Sequence, residues 1–95
     1  MFRKTSTVLL VGLLLASCGG LPGDRVAVQG TGPDDLLKLR AGPGLEFNVV
    51  LGLPDGTPLI RRDCVTELGQ LWCQVALASA PSVTGYVSAD YIADR

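Results

Sequence analysis

Short apolar runs, separated by turn-forming residues, follow one another along the chain from Asp24 onward. Residues 37–40 (Leu-Lys-Leu-Arg) alternate apolar and charged side chains, which is typical of a strand with one buried face. Gly, Pro and Asp residues set the strands apart, and no segment is long and periodic enough for a substantial helix. The other predicted strands cover residues 26–28, 49–51, 57–64, 71–75 and 85–87. The pattern indicates an all-β fold, a small barrel of short strands.

Three local features refine this pattern. Leu59 and Ile60 are adjacent, so we expect only one of them to face the core. Small residues at 78–82 predict a loop before the last predicted strand. Ser88 stands where it can cap a single helical turn that ends at Tyr91.

The N-terminal segment has the features of an export signal. Arg3 and Lys4 precede an apolar run, and Leu15-Ala16-Ser17-Cys18 matches the lipobox of bacterial lipoprotein signals. The run is less than half of the roughly 20 apolar residues that a membrane-spanning helix needs. We therefore expect residues 1–17 to be a lipoprotein signal peptide, cleaved before a lipidated Cys18. A plain secretory signal is the alternative.

Lipidation would determine where the protein resides. A cysteine that carries two or more fatty acyl chains, such as palmitate, holds a protein stably on a membrane. We expect residues 18–23 to form a flexible tether and residues 24–95 to form the domain. The expected location is the cell envelope, on the extracytoplasmic side of a membrane. Gly19 after Cys18 favours the outer membrane if the cell has one.

Composition without the signal excludes some partners. Removing residues 1–17 from the 95 leaves 78, enough for one small domain. Of the eight Lys and Arg residues, two lie in the signal, so six face nine acidic residues and the formal net charge is −3. Nucleic acid binding needs a basic face, and the chain has none that the sequence reveals.

Cys64 and Cys73 remain as an even pair in an oxidising compartment. Gly69 between them suits a turn, and a hairpin centred there would place the two cysteines opposite each other. We expect a structural disulfide. Two buried thiols and a redox-active pair are the alternatives.

Residues 37–44 (Leu-Lys-Leu-Arg-Ala-Gly-Pro-Gly) resemble the opening motif of bacterial SH3 (SH3b) domains. The resemblance runs from about Asp24 to Ile92 and implies an SH3-like barrel of five to six strands that binds rather than reacts. The chain departs from the family pattern at Leu71, at Tyr86 and in a longer loop at 76–83. Later family motifs are matched in order by residues 49–53, residues 55–57, Trp72 with Val75, and residues 85–88.

Catalysis is not expected from these residues. The chain has no histidine, the usual general base near neutral pH, and its cysteines are assigned to lipid and to a disulfide. Without histidine or a four-cysteine set, zinc is not expected either. We therefore predict a protein that is not an enzyme and that needs no metal or cofactor.

The candidate binding residues are one arginine and the aromatic residues outside the signal. Aromatic faces can pack on sugar or peptide, and arginine can pair with a peptide carboxylate. The alternative places Trp72 and Tyr86 mainly in the core, and has Arg40 hold the bend at 42–44 by hydrogen bonds to carbonyls. The candidates are Arg40, Phe47, Trp72, Tyr86 and Tyr91.

Two hypotheses for function follow. Domains of the resembling family often recognise peptidoglycan beside cell-wall hydrolases, which implies a membrane-anchored module that contacts peptidoglycan or cell-wall peptide. Other members mediate protein contacts, so the alternative is a subunit that tethers or regulates an envelope enzyme.

Overall fold

The computed structural model describes residues 23–95, so the predicted signal peptide, Cys18 and most of the tether lie outside the described residues. No helix within residues 23–95 is long and apolar enough to cross a membrane. The described chain forms seven strands with a 3-10 turn before the last. They are β1 (Asp24–Val28), β2 (Leu37–Arg40), β3 (Val49–Leu53), β4 (Pro58–Glu67), β5 (Gln70–Leu77), β6 (Ala80–Ser88), the 3-10 turn (Ala89–Tyr91) and β7 (Ile92–Asp94).

All strand pairs are antiparallel, and together they form one sheet in the order β3-β2-β6-β5-β4-β1-β7. The sheet curls into a half-barrel, which confirms the predicted all-β class and the 3-10 turn near the C-terminus. The prediction of five to six strands is wrong. The seventh strand, β7, forms because the segment after the 3-10 turn pairs with the free edge of β1, Val28 opposite Ile92.

Eight aliphatic residues inside the curl make the main core. Alternation explains their positions, because Leu37 and Leu39 of β2 face inward while Lys38 between them is exposed. Burying such side chains is the main favourable contribution to folding. The cluster consists of Val26, Val28, Leu37, Leu39, Leu53, Leu59, Val75 and Val87.

The prediction that only one of Leu59 and Ile60 faces the main core is confirmed, although both residues are buried. Leu59 belongs to the main core, whereas Ile60 lies on the opposite face of β4 and is also buried. The chain at Gly23 covers that face, since its backbone lies against Ile60. Nearby, Arg61 pairs with Asp24 at 3.0 Å and with Asp94 at 3.5 Å, which links β4, β1 and β7.

The predicted loop at 78–82 is wrong. A tight turn at Ala78 and Ser79 connects β5 to β6, and Leu77 already pairs with Ala80. The next pair is Ala76 with Thr84, so residues 81–83 of β6 form an irregularity in the ladder. A bulge of this kind accommodates Pro81, which has no N–H to donate.

The hairpin between β4 and β5 has the predicted register. Cys64 lies opposite Cys73, the two sulfur atoms are bonded at 2.03 Å, and the Cα atoms are 3.9 Å apart. The predicted disulfide is confirmed. The turn that sets this register has Leu68 at φ 51° and Gly69 at φ 80°. Positive φ at both central residues is the requirement of a type I′ hairpin turn.

Candidate binding groove

Four connections meet on one side of the half-barrel and enclose a groove. They are the β1–β2 loop, the β2–β3 loop, the β4–β5 turn and the 3-10 turn. The groove has two adjacent parts, which we call the first hollow, of about 270 Å³, and the second hollow, of about 420 Å³. Both hollows are lined by Leu45, Trp72, Ser88 and Tyr91.

Trp72 occupies the centre of this site. It lies on β5, opposite Val65 of β4 and Ser88 of β6, and its side chain lines both hollows although the residue is only 6% exposed. Trp72 is therefore both a buried residue and the floor of the groove. Its neighbour Cys73 holds β5 to β4 through the disulfide.

Three large hydrophobic side chains on the walls of the second hollow are open to solvent. Leu45 in the β2–β3 loop is 75% exposed, Leu68 in the β4–β5 turn is fully exposed, and Tyr91 is 41% exposed. Single exposed apolar residues are common, but apolar residues gathered around one concavity mark an interaction site.

Arg40 holds the β2–β3 loop in shape. Its Nη1 donates hydrogen bonds to the carbonyl oxygens of Leu45, at 3.2 Å, and of Phe47, at 3.0 Å. This is the carbonyl-bonding alternative considered for Arg40, and it fixes Leu45 in the groove wall. The ring of Phe47 lies over Gly42, where a Cβ atom would come within 2.5 Å of the ring.

A hydrogen bond joins the first residue of β5 to the last residue of β6, next to the 3-10 turn. Gln70 Nε2 donates to Ser88 Oγ at 3.0 Å, and Ser88 Oγ also accepts from the backbone N–H of Asp90 at 3.3 Å. Ser88 thus caps the 3-10 turn as the sequence predicts, and it also steadies the wall between the two hollows.

Hydrogen bonds to Asp55 hold the β1–β2 loop in place beside the first hollow. Its carboxylate accepts hydrogen bonds from the hydroxyl of Thr31 at 2.6 Å, the N–H of Thr31 at 2.9 Å and the N–H of Gly32 at 3.3 Å. The Thr31 hydroxyl is the largest cause that lowers the pKa of Asp55 below its ordinary value of 3.8. Because Thr31 lines the first hollow, this interaction positions part of the groove wall.

The two hollows differ in charge. The first is lined by one acidic residue, Asp35, and by two basic ones, Lys38 and Arg40. The second is lined by three acidic residues and, among the described residues, by no basic one. Within the described part of the chain these three form no ion pair, since both ion pairs belong to Arg61. They are Glu46, Glu67 and Asp90.

The structure brings together three of the five candidate binding residues. Arg40 lines the first hollow, and Trp72 and Tyr91 line both. Phe47 and Tyr86 line neither hollow, because Phe47 packs on Gly42 and Tyr86 lies half-buried on β6 opposite Gln74.

Sequence reasoning missed the leucines and the acidic residues of the groove. One signal was available: Leu68 stands directly before Gly69 at a hairpin turn, where Asn, Asp or Gly is usual.

Comparison with protein-family models, with curated proteins and with solved structures finds no match to this chain. The resemblance to SH3b domains therefore stays a prediction from the sequence motifs.

Proposed function

We propose that this protein is a lipid-anchored, SH3b-like binding module of the cell envelope whose groove takes a peptide segment. The observation that carries the proposal is the groove itself, with Trp72 as its floor and Leu45 and Leu68 on its walls. The lipobox at residues 15–18 supports attachment to the extracytoplasmic side of a membrane through Cys18. Binding rather than catalysis fits a chain without histidine whose Cys64 and Cys73 are joined in a disulfide.

Peptidoglycan, through its peptides, is the first candidate ligand. The two hollows are each large enough for one or two side chains but not for a folded partner. Leu45, which lines both hollows, and Leu68, which lines the second, are exposed aliphatic side chains, and such side chains suit a peptide better than the flat face of a sugar ring. A membrane anchor with a short tether would keep the groove close to the cell wall.

A sedimentation assay with insoluble peptidoglycan tests the proposal. We expect the purified full chain to pellet with peptidoglycan, and Leu45→Ala to reduce the pelleted fraction several-fold because it removes a groove wall. Leu51→Ala is the matched control, since Leu51 is also exposed but lines neither hollow. Wild-type protein that stays in the supernatant would contradict peptidoglycan binding.

The edge of the sheet favours a second candidate function, contact with an envelope protein. β3 is the last strand on its side of the sheet, and Val49, Val50 and Leu51 are exposed there. An exposed apolar edge can pair with a strand of another protein. Crosslinking in cells tests this: a crosslinked envelope enzyme that disappears with Val50→Lys but persists with Leu45→Ala would favour the protein partner.

A further inference from the structure

We propose that the second hollow binds its peptide through the free ammonium group of a lysine-like side chain. The neighbouring residue of that peptide would have a short apolar side chain. This inference rests on the proposed peptide-binding function and specifies the chemistry that the groove selects. Three observations carry it: an unusual leucine, the distribution of charge and the size of the hollow.

Leu68 is poorly suited to its position in the isolated domain. A non-glycine residue at φ 51° is uncommon, and Asn tolerates this conformation better than Leu does. Leu68 is also fully exposed, so no packing within the described chain compensates for the backbone conformation. Residues held in such conformations cluster at functional sites. Contact with an occupant of the hollow would give the Leu68 side chain the burial that the free domain lacks.

The charge around the hollow indicates the sign of that occupant. Glu46, Glu67 and Asp90 line the second hollow, and the described residues place no lysine or arginine among them. An ammonium group forms strong hydrogen bonds to carboxylates, and like charges would repel a carboxylate or a phosphate. The same acidic wall disfavours contact with an anionic lipid surface.

The size and shape of the hollow limit how much of the peptide it holds. A volume of about 420 Å³ accommodates one long side chain and a small neighbour. The aliphatic stem of a lysine-like side chain would lie between Leu45 and Leu68, over Trp72. Its ammonium group would then reach the acidic residues at the rim.

Trp72, the only tryptophan of the chain, makes the test direct, because its fluorescence reports on the floor of the hollow. The purified full chain is titrated with acetyl-Ala-Lys-Ala-amide and with the same peptide acetylated on the lysine Nζ. We expect a saturable change, with about tenfold weaker binding of the acetylated peptide. We also expect binding of the lysine peptide to weaken when salt rises from about 0.02 to 0.5 M. Equal affinity for the two peptides, or no saturable change with the lysine peptide, would overturn the proposal.

Matched variants separate this site from a general effect of net charge. Glu67→Gln should weaken lysine-peptide binding several-fold, whereas Asp34→Asn removes the same charge from an exposed loop residue outside both hollows and should not. Equal weakening by the two variants would contradict a specific site.

Leu68→Asn separates loss of contact from loss of fold. Asn suits φ 51°, so we expect an unchanged or higher melting temperature together with several-fold weaker peptide binding. Full binding by this variant would show that Leu68 does not contact the occupant and would contradict the proposed arrangement.

Sedimentation with acetylated peptidoglycan tests this inference separately from the proposed function. Treatment with acetic anhydride blocks free amines, and we expect it to abolish pelleting of the full chain. Pelleting that survives acetylation would contradict the ammonium proposal but leave peptidoglycan binding in place. Absence of pelleting with either preparation would contradict peptidoglycan binding, while the peptide titration would still decide the ammonium proposal.

Discussion

The interior of the half-barrel and its groove use the same residue type, leucine, in opposite ways. Leu39 in the interior is completely buried, whereas Leu45 and Leu68 at the groove are largely or fully exposed. The interior leucine lies on a strand and follows the alternating pattern, while the groove leucines lie in connections between strands. The buried leucine stabilises the fold, whereas the two exposed leucines are available to the ligand that we propose.

Substitution of an interior leucine should have the largest effect on the free energy of unfolding. Leu39→Ala should lower the free energy of unfolding by about 2–5 kcal/mol, because it leaves a cavity among fully buried side chains. Urea denaturation, followed by the fluorescence of Trp72, measures this.

Leu51→Ala is the matched control for that change. Leu51 lies directly opposite Leu39 on the neighbouring strand but is 41% exposed, so the same substitution should cost less than half as much. Equal losses for the two variants would contradict the distinction between interior and surface.

Removal of the disulfide should have the next largest effect on the free energy of unfolding. The bond lies close to both the interior and the groove. Cys73 is buried. On β5 it lies between Trp72, which forms the groove floor, and the core residue Val75. Replacing both cysteines by alanine should lower the free energy of unfolding by roughly 2.5–3 kcal/mol, since the bond closes a short loop with a sequence separation of 9. Thermal unfolding of both proteins provides the comparison, and an unchanged midpoint would contradict a stabilising role of the bond.

The smallest expected effect concerns the interaction of Asp55 with Thr31 at the wall of the first hollow. Because the pKa of Asp55 is lowered in the folded protein, its carboxylate stabilises the fold above the ordinary value of 3.8. That contribution is lost as the pH falls through the lower pKa of the folded state. Asp55→Asn should therefore reduce stability near neutral pH, with a difference from wild type that shrinks below pH 3.8. Denaturation at a series of pH values measures the difference.

Asp34→Asn is the control for Asp55→Asn, because Asp34 lies in the same region without these hydrogen bonds. A stability difference for Asp34→Asn with the same pH dependence would show that general charge, rather than the hydrogen bonds to Thr31, is responsible.

Much of the fold could be predicted because its signals are local. Alternation located β2 at residues 37–40, the turn at Gly69 set the register of the cysteines, and Ser88 marked the start of the 3-10 turn. The beginning of β6 was missed because small residues and Pro81 are typical of loops. Only pairing with β5, which depends on tertiary structure, makes this segment a strand.

The groove was harder to predict because its walls come from distant parts of the chain. Leu45, Leu68 and Tyr91 are more than twenty residues apart in sequence, and only the order of strands in the sheet brings them around Trp72. Aromatic character alone selected Trp72 and Tyr91, which line the groove, but it also selected Phe47 and Tyr86, which pack elsewhere.

The place of β1 in the sheet has a mechanical consequence. β1 follows Gly23 and lies between β4 and β7, and Arg61 ties its first residue, Asp24, to Asp94 of the last strand. A pull on the segment that precedes β1 would thus act on two hydrogen-bonded ladders at once. If Cys18 carries the proposed lipid anchor, tension on it would be divided between these two ladders, and only the ladder with β4 leads on to β5 and Trp72.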